Sequence, residues 1–532
     1  MITSYGNSVQ YREASMNKKT AKGNTAVFIL GFLLLVVASA AVRIPYLTHY
    51  PPQVHNDEAA TGIYILELIK SGGWALYGTT WGHPNLNFWI SSLPTKLTGE
   101  TSVWTIRLMC AIGGVFSLIF FGAAVAILSN RRTSLLFLLF AAPFHLHAHY
   151  SRTGFIYNHA ILSISLTTLL FALVVARPTL IRRVMLGISL GLSILVYPVT
   201  QVLPFALLGT AITPYLLTTW NPLRGFWNGI KRARKALPVL LGCILGCGAQ
   251  IAFWVQYGYE SRVRSQFFLL PDPRRHLEGV MGEHASPLAI WWFNIKQTAL
   301  FFYNGDLAAQ YGFFKAPLAP AMAGLAIVGL VIMMIRATKS DRFSIFVLLT
   351  SIGTFVGSTL LVEGDFSPHL IVFGLYLPLF CAVGCDFLWS IIRINHPIIV
   401  TPIMIGVGAW WALWNFNYYE QNVTRWKQYR VTYILNLPID TRSVRSLISL
   451  SKFPESLGES FYTLVFPNAS KHILRPSADD GQVILETATR SGLPALAIVD
   501  PEQESVVTAK LKEAQRKVTT FNHPQGAMLF VE

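Results

Sequence analysis

Long apolar runs alternate with short polar breaks along this chain, and most runs approach the ~20 residues a helix needs to cross a bilayer. They fall at Thr25–Val42, Val103–Leu128, Thr133–His149, Ile156–Ala176, Val184–Tyr197, Val199–Thr219, Leu237–Tyr257, Pro317–Ile335, Phe343–Val362, His369–Ile392 and Pro397–Trp414. The pattern predicts about eleven membrane-spanning helices. The fifth is the tightest, because Pro198 leaves little room for a turn before the next. Lys18, Lys19 and Lys22 precede the first run, which reads as a retained helix rather than a cleaved leader.

The breaks are basic. They hold Arg131-Arg132, then Arg177, Arg182 and Arg183, then Arg224 with the Lys231-Arg232-Ala233-Arg234-Lys235 cluster, then Arg336, Lys339 and Arg342, then Arg393. Short loops rich in Lys and Arg stay in the cytoplasm. With the N-terminal end inside and an odd number of crossings, every cluster falls on that side. An even number would break the alternation.

Three longer segments then fall outside: Arg43–Ser102, Gly258–Ala316 and the tail beyond about Asn415. In the first, Ile63, Leu66 and Ile69 share a face over Glu58–Ile69, and Gly72-Gly73 follow, so a helix at the interface is expected. In the second, Ala289–Phe302 carries Trp291-Trp292 and reads as a helix at headgroup depth. In the tail, Phe461–Phe466, Val483–Leu485, Leu496–Val499 and Ala527–Val531 read as strands, and Ser443–Ser451 and Val506–Arg516 as helices. The expected organisation is a cytoplasmic segment at 1–24, an all-α polytopic membrane bundle over 25–415, and a small extracytoplasmic α/β domain over 416–532.

Composition agrees. Only 13% of the 532 residues are charged, about half of what soluble domains carry. Mean hydropathy is +0.46. The net charge of +16 could suggest nucleic acid, but its placement in interhelical clusters fits membrane topology instead. Cys110, Cys243, Cys247, Cys381 and Cys385 all lie inside apolar runs, so no disulfide framework is implied. Asn422-Val423-Thr424 and Asn468-Ala469-Ser470 fit the N-glycosylation pattern and suggest nothing beyond outward exposure.

The chemistry centres on Asp57-Glu58, just beyond the first apolar run. One carboxylate could be a general base for an attacking hydroxyl. The pair could instead hold a divalent cation, or Asp57 could cap the helix that begins near Glu58. His145, His147 and His149 raise a metal reading, but on a helix only His145 and His149 share a face.

Asp57-Glu58-Ala59, Gly72-Gly73, His83-Pro84-Asn85-Leu86, Gly99 and Arg107-Leu108 form an ordered series. Tyr150-Ser151-Arg152 with Asn158, and Asn304-Gly305-Asp306 to Pro317, extend it. The series resembles the membrane glycosyltransferases of the GT-C fold, in particular the protein O-mannosyltransferase and aminoarabinose-transferase group. The resemblance spans about residues 25–415 and is strongest over 43–160.

It implies inverting transfer of one sugar from a polyprenyl-phosphate donor to a protein, lipid or glycan acceptor outside the cytoplasm, in a multi-pass protein of a bacterial inner membrane. It implies Asp57 as the base and Glu58 as its orienting partner. The donor phosphate would meet His83, Arg152, Lys315 and His369. His83 and His369 stand where many relatives carry Lys and Arg. Arg107 would pair with the outer-loop carboxylates. No cofactor is implied beyond the divalent-cation option, and no nucleic acid. A transporter or lipid-linked-sugar flippase is the rival reading. It would call for ionisable or broken segments at mid-membrane, whereas this chain keeps its charges at helix ends. A non-catalytic membrane scaffold is a second rival.

Overall fold

The computed structural model describes residues 18–48, 50–51, 56–70, 79–80, 83–99, 101–155, 157–218, 236–257, 286–305, 316–360, 367–392 and 397–426 of the bundle, with 223 and 227. In the tail it describes 445–449, 470–473, 493–499, 504–514, 516–523 and 526–532, with a few positions near 484–490. The bundle runs α1 (Lys18–Arg43), α2 (Asn56–Lys70), a hairpin of β1 (Thr79–Thr80) and β2 (His83–Pro84), α3 (Leu86–Thr98), α4 (Val103–Leu128), α5 (Arg131–Ala141), α6 (His145–Arg152), α7 (Asn158–Ala176) and α8 (Leu180–Ile194). It continues through α9 (Val202–Thr218), α10 (Leu237–Tyr257), α11 (Pro287–Asn304), α12 (Pro320–Thr338), α13 (Arg342–Thr359), α14 (Phe373–Ile392) and α15 (Pro397–Trp426).

All eleven apolar runs are helical. Among the described residues, eight helices are long and apolar enough to cross a membrane. The other three runs depart from the sequence pattern in different ways. Thr133–His149 is broken: α5 stops at Ala141 and α6 starts at His145, with Pro143 between them, where proline cannot donate to the ladder. α8 spans only 15 residues and carries Arg182 and Arg183. α15 extends to Trp426, well past the predicted Trp414, so its last turns are polar.

α4 is the hub, packed against α7, α3, α5 and α6. Its start is fixed by a capping box in which Ser102 accepts from Thr105 N and the Thr105 hydroxyl accepts from Ser102 N. Around α4 and α5 the core is aromatic, with Phe121, Phe137, Phe140, Phe144, Tyr376 and Trp411 all fully buried. α1 is the opposite case. Val27, Leu30, Leu34 and Val37 lie more than half exposed, as on a helix solvated by lipid. The Arg131 guanidinium donates to the Thr25 hydroxyl at 2.9 Å, and Arg132 is paired with Asp386 of α14. The first basic cluster and the start of α1 therefore share one end of the bundle, as the charge pattern predicts.

In the tail, β3 (Ser446–Ser449), β4 (Ser470–Ile473), β5 (Ala495–Val499), β6 (Val518–His523) and β7 (Gly526–Val531) form a mixed sheet of order β4-β3-β5-β7-β6. α16 (Glu504–Glu513) buries Val507 and Leu511 with Ala495, Ala497, Leu529 and Val531 of the sheet. The predicted strands at Leu496–Val499 and Ala527–Val531 and the helix at Val506–Arg516 are present. Ser443–Ser451, expected as a helix, contains β3, which is paired in parallel on both sides, to β4 and β5. Such a strand gets its backbone partners from distant sequence. Ile484, expected in a strand, is helical, and Phe461–Phe466 lies outside the described residues.

Candidate active site

The site lies at the end of the bundle opposite Arg131, where α1 finishes and α2, α4 and α7 begin. α2 starts at Asn56, so Asp57 and Glu58 both sit inside its first turn, where carboxylates favour the helix dipole. Asp57 is thus not the cap residue. Glu58 is buried and fully engaged. Arg107 Nε donates to Oε1 at 2.6 Å and Arg107 Nη2 to Oε2 at 3.0 Å. The backbone N–H of Gly154 donates to Oε1 at 2.6 Å.

Arg107 Nη1 also donates to the carbonyls of Leu47 and Pro51, at 2.8 and 2.7 Å. One guanidinium therefore ties α4, α2 and the 44–51 turn together, and the expected pairing of Arg107 with an outer-loop carboxylate falls on Glu58. Gly154 is required for this approach. A Cβ there would meet Ile106 Cγ2 at 2.2 Å and Glu58 Oε1 at 3.1 Å.

Asp57 is half-buried. The Thr61 hydroxyl donates to its backbone carbonyl at 2.7 Å, and the Tyr157 hydroxyl lies 3.5 Å from Oδ2. The two carboxylates are thus differently placed. Glu58 spends both oxygens on Arg107 and Gly154, so the pair does not close around a cation. Among the described residues no three His, Cys, Asp or Glu side chains gather to hold a metal ion.

Arg152 is buried at the end of α6. Nη1 donates to Val42 O at 2.7 Å, Nη2 to Pro45 O at 2.7 Å and Tyr50 O at 2.9 Å, and Nε to Tyr50 O at 3.2 Å. Its charge also lies over the Tyr50 ring, 5.6 Å from the centroid. Burial pushes its guanidinium below the ordinary value, with Tyr419 opposing, and pushes the Tyr50 phenol up to about 12.

Arg43, the last residue of α1, plays the matching part at the α5–α6 break. It donates to Ala142 O at 2.7 Å, Ala141 O at 3.3 Å and Ser39 O at 3.1 Å, and to His147 Nδ1 at 2.9 Å. The carbonyls of Ala141 and Ala142 lie at the end of α5, where the helical ladder stops. Because His147 Nδ1 accepts from Arg43, its Nε2 carries the proton and donates to the Ser117 hydroxyl at 2.9 Å.

The three histidines of α6 face different neighbours. His147 meets Arg43 and Ser117, His145 Nδ1 donates to Asn415 Oδ1 at 2.8 Å, and His149 packs on Tyr419. As the helical period predicts, His145 and His149 share a side, facing α15, and no metal cluster results.

Of the other sequence-predicted residues, His369 lies half-buried in a short 3-10 turn, Ser367–Leu370, before α14. His83 lies in β2, paired in register with Thr80. Lys315 lies outside the described residues. Asn422 is buried, which excludes it as a glycosylation acceptor, and Asn468 lies outside the described residues.

A groove of about 1050 Å³ runs between α11, α12 and α15. Phe302, Ile327 and Trp414 form its apolar wall, and Asn304, Asn417 and Gln421 supply amides. Tyr418, also on its wall, packs on His145 at 4.3 Å, and the next residue, Tyr419, meets Tyr50 at 5.3 Å. α15 thus joins the groove to the Arg152 corner.

Arg43 was not legible as a functional residue. Its one signal is a charge closing an apolar run, which ordinary snorkelling also produces. Gly154 carried no signal at all.

Residues 82–240 match the family model described as dolichyl-phosphate-mannose-protein mannosyltransferase. The match holds Arg107, Arg152 and Gly154 and begins after Asp57. The structure of ArnT from Cupriavidus metallidurans in the apo state superposes with a TM-score of 0.52 at 14% identity, over 96% of this chain and 98% of that one. The chain has the GT-C glycosyltransferase fold. Archaeal oligosaccharyltransferase AglB from Archaeoglobus fulgidus, in complex with an inhibitory peptide and a dolichol-phosphate, gives 0.50 at 11% identity, over 95% of this chain and 74% of that one. Among proteins of curated function, none matches this chain in sequence. The GT-C resemblance read from the outer-loop series is borne out in fold and in the family model, and the bundle is that of an integral membrane protein.

Proposed function

We propose that the chain is a polyprenyl-phosphate-dependent glycosyltransferase that moves one sugar, with inversion, to an acceptor hydroxyl or phosphate at the membrane face bearing α2. That face is the extracytoplasmic side of a bacterial inner membrane, with the tail domain on the same side. The observation that carries the reading is the contrast within one helical turn. Glu58 is locked into Arg107 and Gly154, while Asp57 stands half-exposed beside it. A structural carboxylate and a chemical one are expected to differ in this way.

In the reaction, Asp57 takes the proton of the acceptor hydroxyl as its oxygen attacks the anomeric carbon. The bond from that carbon to the phosphate oxygen breaks, and the lipid phosphate leaves as a stable anion. Electrostatics favour such a leaving group here. Arg107, bonded to Glu58, is buried close to Arg152, and Arg43 is buried beside Arg152 in turn, so this end of the bundle holds an excess of positive charge at low dielectric. Arg152 contributes through its charge, since its N–H groups are largely spent on carbonyls. His83, Lys315 and His369 complete the phosphate site. The groove between α11, α12 and α15 has the apolar wall that an isoprenoid tail needs. The dolichol-phosphate bound to AglB supports a lipid of this class as donor.

The test is Asp57→Asn in purified protein, assayed with a panel of radiolabelled polyprenyl-phosphate sugars. Transfer falls by about 10²-fold or more if Asp57 is the base. Full transfer by a folded, membrane-inserted variant ends the reading. Movement of lipid across a vesicle without sugar transfer favours a flippase.

A further inference from the structure

We propose that Tyr157 is the positioning residue of the base: its hydroxyl holds Oδ2 of Asp57 and so sets the plane of the carboxylate that meets the acceptor. The inference rests on the reading of Asp57 as base.

Tyr157 directly precedes α7 and is buried. Its ring is gripped on three sides. Phe155 stacks at 5.0 Å with 23° between planes, Tyr150 meets it edge-on at 5.8 Å, and Tyr197 lies at 5.3 Å. A ring held this way cannot swing, so the direction of its hydroxyl is set by packing rather than by solvent. That hydroxyl ends 3.5 Å from Asp57 Oδ2. The separation is long for an O–H···O bond, and hydrogen bonds of catalytic groups commonly tighten once substrate loads.

The need for such a donor follows from the neighbouring bonds. Glu58 fixes the backbone of this turn through Arg107 and Gly154. The half-exposed side chain of Asp57 takes no part in those bonds. A base that must face one acceptor oxygen requires its carboxylate plane to be held. Phe155 and Tyr157 lie one and three residues after Gly154 in sequence, so the segment that seats Glu58 through its backbone also aims the phenol at Asp57.

Tyr157→Phe keeps the ring packing and removes only the hydroxyl. The expected result is a kcat lower by about tenfold, the worth of one hydrogen bond. KM for donor and acceptor should stay within about twofold, and thermal unfolding should be unchanged. In an Asp57→Glu background, where an added methylene displaces the carboxylate from the phenol, the same substitution should change kcat by less than about twofold. A wild-type kcat for Tyr157→Phe overturns the proposal. So does an equal loss in both backgrounds, which would mark a merely structural tyrosine. If Asp57→Asn is inactive while Tyr157→Phe is unaffected, the base stands and only the role of Tyr157 fails.

Discussion

Two regions of the bundle bring segments of backbone close together by opposite means. Between α8 and α10, and between α12 and α14, side chains are removed. A Cβ on Gly187 would meet Val239 O at 2.0 Å, and one on Gly191 would meet Cys243 O at 2.3 Å. The partners reciprocate, since Gly242 faces Val184 O and Gly246 faces Ile188 O. Gly329 and Gly384 do the same for the second pair, against Phe380 O and Leu325 O. Helices already satisfy their own backbone, so bare glycine faces suffice for close packing in lipid.

At the site end the described backbone is irregular at 44–48, 50–51, 142–144 and 153–155, and its carbonyls need donors. There the largest polar side chains do the work. Arg43, Arg107 and Arg152 together serve the carbonyls of Ser39, Val42, Pro45, Leu47, Tyr50, Pro51, Ala141 and Ala142. Non-helical backbone at the membrane survives where protein groups bond it, and here those groups also gather positive charge at the end of the bundle that carries Asp57. The fold device and the electrostatic device are the same residues.

The sharpest way to break this contrast is Arg107→Ala. It leaves Glu58 buried and unpaired and strips two carbonyls, so a loss of about 3–5 kcal/mol is expected, read as a large drop in detergent-solubilised unfolding temperature and in folded yield. Gly187→Val should cost about 1–3 kcal/mol or more, because its side chain meets the α10 backbone and forces α8 and α10 apart. Its unfolding temperature should fall while transfer by the surviving folded protein stays near wild type. Arg132→Ala should cost least, below about 1 kcal/mol. That guanidinium is 46% exposed, and Asp386 keeps Asn130 and Thr133 as donors. Unfolding curves superimposable on wild type are expected there, and a loss as large as that of Arg107→Ala would erase the distinction between the two ends.

Legibility followed the range of the interactions. The apolar runs, the basic breaks and the outer Asp57-Glu58 pair were readable because helix length, hydropathy and charge are local properties. The break at Pro143 was present in the sequence but masked by the apolar residues on both sides of it. In the tail, β5, β7 and α16 were readable from local pattern. β3 was not, because a four-residue Ser-Leu-Ile-Ser stretch becomes a strand only when β4 and β5 arrive on its two edges. Within the site, the sequence offered Asp57 and Glu58 as a pair acting together. The structure separates them, giving Glu58 to Arg107 and Gly154 and leaving Asp57 beside Tyr157.

By itself, then, the sequence determined a helical membrane bundle with its basic loops at one end and a carboxylate pair at the other, because bilayer thickness and the cost of charge in hydrocarbon act on each segment separately. Tertiary structure alone decided which carboxylate pairs with Arg107, which arginines hold the irregular backbone, and where the phenol of Tyr157 points. Those outcomes depend on hydrogen bonds between residues 49 to 110 positions apart, and no local pattern encodes the distance between them.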